Sequence, residues 1–430
     1  MSKRFSKFIL FGLVFTLFIL SLAILFASCN DDDDKPVEKV FSSDGIVFTL
    51  NELWGYYEVT GYNGNADYVL IPSMYQSRKV TKIADKAFLG CTKIVEIRIE
   101  DGVEEIGSNA FEKCSGLTNI TIPNSVTNIG NYAFASCSKL TNVTIPNSYM
   151  SIGNYAFCCC TGFTSIEIPY RVESIGEGAF SRCTNLSSVT IGDGVEEIGR
   201  GAFGDCTNLA TVTVGDWLSK IGSGAFDDTL WYANQPNGVV YVGKVAYKYK
   251  GAMPYGTSIV IKEGTKSIAE MAFANCSNLV SITIPNSIYR ICSRAFYKCS
   301  GLTNFEFPKE LRHIGYAAFE NCTNLTEINW TPTYCVGDED NKGGYYSHTH
   351  IFENCTNLSK VYISKDTKNI PLYINSLGNE PNVIGQRAKV IFDGTKSEWN
   401  NHRISAYIID YSTIVCTDGI IEWSYNTKNN

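Results

Sequence analysis

The 430-residue sequence predicts a mainly β repeat solenoid, with coils of about 23 residues and a parallel sheet. Three observations lead there. Phe88, Phe111, Phe134, Phe157, Phe180, Phe203 and Phe226 each follow an alanine and sit 23 residues apart. Phe273, Phe296 and Phe319 resume the step after a gap of 47, and a last copy ends at Phe352 after 33. Three residues behind these rings runs a second column: Cys91, Cys114, Cys137, Cys160, Cys183, Cys206, Cys276, Cys299, Cys322 and Cys355. Between the columns recurs a short apolar alternation such as Leu117, Ile120, Ile122. A fixed period in the twenties marks a stack of supersecondary units, each burying its apolar side against the next.

One coil, Cys114 to Phe134, carries the argument. Ile120 and Ile122 give the period-two spacing of a strand with its apolar side inward. Pro123 and Asn124 end it, because proline cannot donate to a ladder. Val126 and Ile129 then point back into the coil, Gly130 permits a tight turn, and Phe134 fills the space between adjacent coils. Ordering each residue costs roughly 1–2 kcal/mol, more than one coil's few apolar side chains return. A lone coil therefore does not fold, and stacking is obligatory.

The run Val126-x-x-Ile129-Gly130-x-x-Ala133-Phe134-x-x-Cys137-x-x-Leu140-x-x-Val143-x-Ile145-Pro146 resembles the BspA-type leucine-rich repeats of bacterial surface proteins. The resemblance covers residues 81–363 and implies a right-handed leucine-rich-repeat-like solenoid with its parallel sheet on one face. It also implies adhesion to extracellular-matrix proteins or to other cells.

At the N-terminus, Lys3, Arg4 and Lys7 precede the apolar run Phe8–Phe26, which ends in Ala27-Ser28-Cys29. Residues 1–28 resemble a lipoprotein signal peptide, with Cys29 as the lipidated first residue of the mature chain. An uncleaved membrane anchor is the competing reading, since nineteen apolar residues nearly span a bilayer. Residues 29–40, with Asp31–Asp34, form an acidic tether. That run resembles the export signal of outer-membrane lipoproteins displayed on the cell surface; the plainer reading is that it only prevents retention at the inner membrane.

Residues 41–80 read as an N-terminal cap, with strands at Ile46–Leu50 and Tyr56–Thr60. Residues 81–363 hold the repeats, with a hairpin insertion at 227–262 and a loop insertion at 331–350. Val239–Val242 and Val245–Tyr249 alternate about Gly243-Lys244, a two-residue hairpin turn. Two readings stay open for its rings: packing on neighbouring coils, or a contact site formed by Trp231, Tyr241, Tyr247 and Tyr249. The loop carries Asp338, Glu339, Asp340, His348 and His350, which match no metal-ligand spacing and read as a solvated segment. Residues 364–430 form a C-terminal cap and tail.

Chemistry-bearing motifs are scarce. The sequence contains four histidines and no G-x-S-x-G, Walker A or H-E-x-x-H pattern, so an enzyme is not expected, and neither a cofactor nor a metal. A net charge of −7 with scattered Lys and Arg argues against nucleic acid. The cysteine column reads as reduced, inert thiols acting as small apolar groups, because in-register neighbours point the same way. Cys158-Cys159-Cys160 reads as a ladder member with two surface neighbours.

Alternation leaves two outward columns on the strands. Asn119 and Asn142 stand in one; Thr121, Thr144, Thr190 and Thr213 stand in the other. Threonine is also simply a good strand former. As a surface, these short hydroxyl and amide groups suit an extended protein or glycan ligand of a monomeric, surface-anchored protein.

Overall fold

The computed structural model describes residues 40–333, 335–337, 351–368, 388–401 and 413–422. The chain divides into two compact units, Met1–Val40 and Phe41–Asn430. The signal segment 1–28, Cys29, the acidic run and the polar loop residues 338–350 lie outside the described residues.

The described residues from 41 onward form a parallel-sheet solenoid, and its coils stack by three backbone ladders. The first ladder is the strand row anticipated from Leu-x-x-Ile-x-Ile. Tyr68–Ile71, Glu96–Ile99, Asn119–Thr121 and Asn142–Thr144 pair in parallel and in register, each residue opposite the one 23 later from Glu96 onward. The row continues through Ser165–Ile168, Ser188–Ile191 and Thr211–Val214. It resumes with Thr257–Val260 on Leu279–Thr283, and with Asn304–Glu306, Glu327–Trp330 and Lys360–Ile363.

A second strand row was not read from the sequence. Residues such as Glu105–Ile106, Asn128–Ile129, Met150–Ile152 and Val172–Ile175 form their own parallel sheet, coil upon coil. Their isoleucines do point into the core, as at Ile106 and Ile129, both fully buried. The glycine after each lies hard against the backbone of the neighbouring coil. A Cβ on Gly153 would lie 2.6 Å from the Gly130 carbonyl carbon. Beside it, an Asn or Asp side chain caps the next coil: Asn131 Oδ1 accepts from Asn154 N at 2.8 Å, and Asn154 Oδ1 from Glu177 N at 2.9 Å.

The third ladder runs through the Ala-Phe turn. Asn109, Phe111 and Lys113 donate their N–H groups to Asn131, Ala133 and Ala135 of the next coil at 2.7–2.8 Å. The intervening Ala110, Glu112 and Cys114 turn back to carbonyls three residues earlier. Alternation of this kind requires left-handed backbone two residues before and two after the ring, and φ is +59° at Asn109 and +62° at Lys113. The same two columns are left-handed at Tyr132 and Ser136, Tyr155 and Cys159, Arg294 and Lys298.

Packing follows the ladders. Consecutive phenylalanine rings from Phe88 to Phe226 stack with centroids 5.0–5.4 Å apart, and each ring is buried. The spine resumes at Phe273 and runs through Phe296 and Phe319 to Phe352. The cysteines do more than fill space. Cys114 Sγ–H donates to Phe88 O, Cys137 to Phe111 O, and so on through Cys355 to Phe319 O, all at 3.0–3.2 Å. Each thiol thus ties its coil to the coil behind. The described cysteines are free thiols.

The stretch 227–262 is a deformed coil. Thr229 stands where the cysteine would, donates to Phe226 O at 2.7 Å and caps the short helix Leu230–Ala233. Gly238–Val242 and Val245–Lys250 form an antiparallel hairpin turning at Gly243-Lys244. Tyr249, 23 residues after Phe226, takes the phenylalanine's place in the backbone ladder, its N–H donating to Ala272 O at 2.8 Å, while the tyrosine ring against Phe226 is that of Tyr247, edge-on at 5.8 Å. Phe226 N, facing no such carbonyl, bonds instead to the Tyr247 hydroxyl at 3.0 Å. Across this irregularity Glu270 reaches back, accepting Arg200 Nε on both oxygens at 2.9 Å and Ser223 N at 3.1 Å.

Candidate binding surface

The first strand row sets the candidate surface. Inward residues Ile97, Ile120, Ile166 and Val189 are buried, so their outward neighbours must face solvent. Thr121, Asn142, Thr144, Thr190 and Thr213 are exposed, and Asn119 is half-buried. Register aligns them: Asn119 lies opposite Asn142 and Thr121 opposite Thr144. Thr190 lies opposite Thr213. These columns come from stretches of strand separated between Thr144 and Ser165, and again between Val214 and Thr257. Charge interrupts the row at Glu167, exposed beside Thr190, as well as bounding it. Glu96 accepts from Asn119 Nδ2 at 3.3 Å, and Lys360 pairs with Glu327. The chemistry offered is hydrogen bonding at one coil's spacing.

Of the hairpin rings assigned to the candidate surface, Tyr247 is taken out by its burial, and Trp231, Tyr241 and Tyr249 are half-buried. Tyr247 is buried at 1% exposure, held between Phe226 N and Asp227 Oδ1, its hydroxyl pushed well above the usual tyrosine range by burial and then by the Asp227 charge. Trp231 packs on Phe226 at 5.4 Å. Tyr241 is half-buried, accepts from Lys262 N at 3.2 Å and carries Lys262 Nζ 4.3 Å above its ring. Tyr249 is half-buried and packed against the core. Alternation along a hairpin shows which residues share a side; it does not show that the side meets another coil.

Two exposed aromatic features went unread. Tyr149 and Tyr170 flank Arg171, whose guanidinium carbon lies 5.1 and 5.6 Å from their ring centroids. Trp54, at the tip of the first hairpin, is 70% exposed. Both sit on turns, where residue identity carries no periodic signal. The Cys158–Cys159 pair is half-buried with sulfurs 3.4 Å apart, and burial pushes the Cys159 thiol up to about 11. Among the described residues, no group of three or more His, Cys, Asp or Glu is placed to hold a metal ion.

Stacked parallel coils of about 23 residues with an Ala-Phe spine define a leucine-rich-repeat solenoid. The model of the BspA-type leucine-rich repeat region matches residues 67–161, 150–255 and 249–376, and the chain belongs to that family. Among solved structures it is similar to a leucine-rich repeat protein of T. pallidum, with 30% identity over 45% of this chain and 90% of that one, at a TM-score of 0.42. It is also similar to a leucine-rich repeat protein of Bacteroides ovatus, with 26% identity over 76% and 95%, at 0.37. A leucine-rich cell surface protein of Faecalibacterium prausnitzii shares 23% identity over 84% and 96%, at 0.35. No curated protein matches the chain.

Proposed function

We propose that this repeat protein is a binding protein of the cell surface, anchored through a lipid on Cys29, and that it adheres to an extended macromolecule laid along the first strand row. Host extracellular-matrix protein is the ligand class this reading favours, and no catalytic step is part of it. The observation that carries it is the in-register run of exposed hydroxyl and amide side chains at Thr121, Asn142, Thr144, Thr190 and Thr213. Such a surface is long and shallow, and a partner strand or chain can step along it one coil at a time.

A binding screen of residues 30–430 against matrix proteins and polysaccharides tests the reading. Matrix proteins are expected to score; a screen in which only polysaccharides score overturns adhesion to protein. The anchor has its own test. Labelled palmitate is expected to enter the wild type and not Cys29→Ala, and undiminished labelling of the variant would refute lipidation there.

A further inference from the structure

A cleft lies away from the first strand row, where the first hairpin overhangs the start of the second row. It is an open cleft of about 620 Å³, within the size range of small-ligand sites. One wall is the hairpin tip. Asn51 Oδ1 accepts from Trp54 N at 3.3 Å, and Gly55 N donates to Asn51 O at 2.8 Å. Gly55 takes φ +73°, and Arg78 Nη1 reaches Gly55 O at 3.4 Å. These contacts hold the tip backbone while leaving the Trp54 ring in solvent. The floor is the second strand row, and it presents Thr81, Lys82, Glu105, Thr127 and Asn128 from three successive coils.

Charge decides what fits. Arg78, Lys79 and Lys82 line the cleft against Glu104 and Glu105. Lys82 is spent on Glu105 at 3.1 Å. What remains toward a ligand is two cations, Arg78 and Lys79, against one anion, in a chain whose net charge is −7. Guanidinium and ammonium groups select a carboxylate. A lone exposed indole offers a flat apolar face to a ring whose edges stay wet. Hydroxyl, amide and carboxylate groups repeated at coil spacing of about 5 Å match the hydroxyls of successive sugar rings. A purely acidic peptide would use the cations and leave the indole and the Thr127, Asn128 and Glu104 groups without a role.

We propose that this cleft binds an acidic glycan, a uronate-bearing polysaccharide, with a sugar ring on Trp54 and its carboxylate on Arg78 and Lys79. The site goes beyond the first-row surface and does not depend on it.

The test measures equilibrium binding of the full chain to three probes: polygalacturonate oligomers, their methyl esters, and poly-glutamate. Polygalacturonate is expected to bind. Methyl esterification, which keeps the rings and removes the charge, is expected to weaken it at least tenfold; poly-glutamate, which keeps the charge without rings, is expected to bind at least tenfold more weakly. Trp54→Ala and Lys79→Glu should each weaken polygalacturonate at least tenfold with an unchanged Tm, because both side chains are exposed. Thr121→Gln with Thr144→Gln should leave it unchanged, which separates this site from the first row. No binding of polygalacturonate, equal binding of poly-glutamate, or indifference to Trp54→Ala would each overturn the proposal.

Discussion

The smallest unit that explains this molecule is the thiol behind each phenylalanine. Cys183 is fully buried and donates to Phe157 O, a carbonyl in the coil behind, at 3.2 Å. A buried small side chain that also makes an inter-coil hydrogen bond accounts for cysteine better than size alone. Cys183→Ala should destabilise by about 1–3 kcal/mol, from a lost methylene-sized volume and an under-satisfied carbonyl. Cys183→Ser keeps the donor, and its loss should be smaller if the bond matters more than the volume; urea midpoints read both. Thr229 is not an equivalent case, because its hydroxyl donates to Phe226 O, three residues back in its own coil.

Thiol burial also gives the molecule an alkaline limit. Burial pushes the Cys160 thiol above its ordinary value, and burial followed by the Cys206 sulfur does so at Cys183. In the unfolded chain both ionise near their ordinary value, so above about pH 9 the unfolded state holds fewer protons than the folded one. Stability should therefore fall with rising pH, by about 1.4 kcal/mol per pH unit for each thiol still protonated in the fold. Urea midpoints between pH 8 and pH 10.5 check this, and Cys183→Ser should flatten the slope. A slope unchanged by that variant would remove the thiols as its cause.

At the scale of the element, the Ala-Phe turn trades local comfort for a ladder. Left-handed backbone costs a side-chain-bearing residue about 1–2 kcal/mol, yet it lets the N–H groups at and around each ring point to the next coil. Ser136, at φ +61°, stands in a column where glycine occurs once, at Gly90. Ser136→Gly should raise stability by up to about 1 kcal/mol, the relieved strain less the added chain entropy. Thermal melting reads it, and a lower Tm would show that the serine side chain matters more than its φ.

The deformed coil is the other element that repays attention. Glu270 closes the gap left there by accepting from Arg200 and Ser223 N. The Glu270 side chain is 11% exposed, but Arg200 is largely exposed, so solvent screens the ion pair and it alone is worth little. The capped backbone N–H adds to it. Glu270→Ala should cost about 1–2 kcal/mol, whereas Arg200→Ala should cost less. Equal losses would mean the ion pair and not the cap is what Glu270 supplies.

Over the whole molecule, the long-range order was written in the chain and the local departures were not. Phe88 to Phe226 at a constant step fixes coil length, stacking and the direction of the first strand row, because a ring every 23 residues has only its neighbours to pack on. The second row hid because pairs such as Asn128–Ile129 are too short to show a period of two. Tyr249 hid as the backbone counterpart of the phenylalanines because the step to Phe273 is one residue longer than the rest. Tyr247 carried no sign of its burial, since the carbonyl it replaces for Phe226 is missing only in three dimensions. The cleft beneath Trp54 joins residues from 54 to 128, a proximity that no local pattern encodes.

On that footing the exposed first row is the feature through which a passive stack of coils would do its work. The most direct measurement compares the affinity of wild type and the triple variant Thr121→Lys, Thr144→Lys, Thr190→Lys for the tightest matrix ligand found in the screen, with Tm recorded for both. Affinity is expected to fall at least tenfold at an unchanged Tm. An affinity that does not move would place ligand binding elsewhere on the molecule.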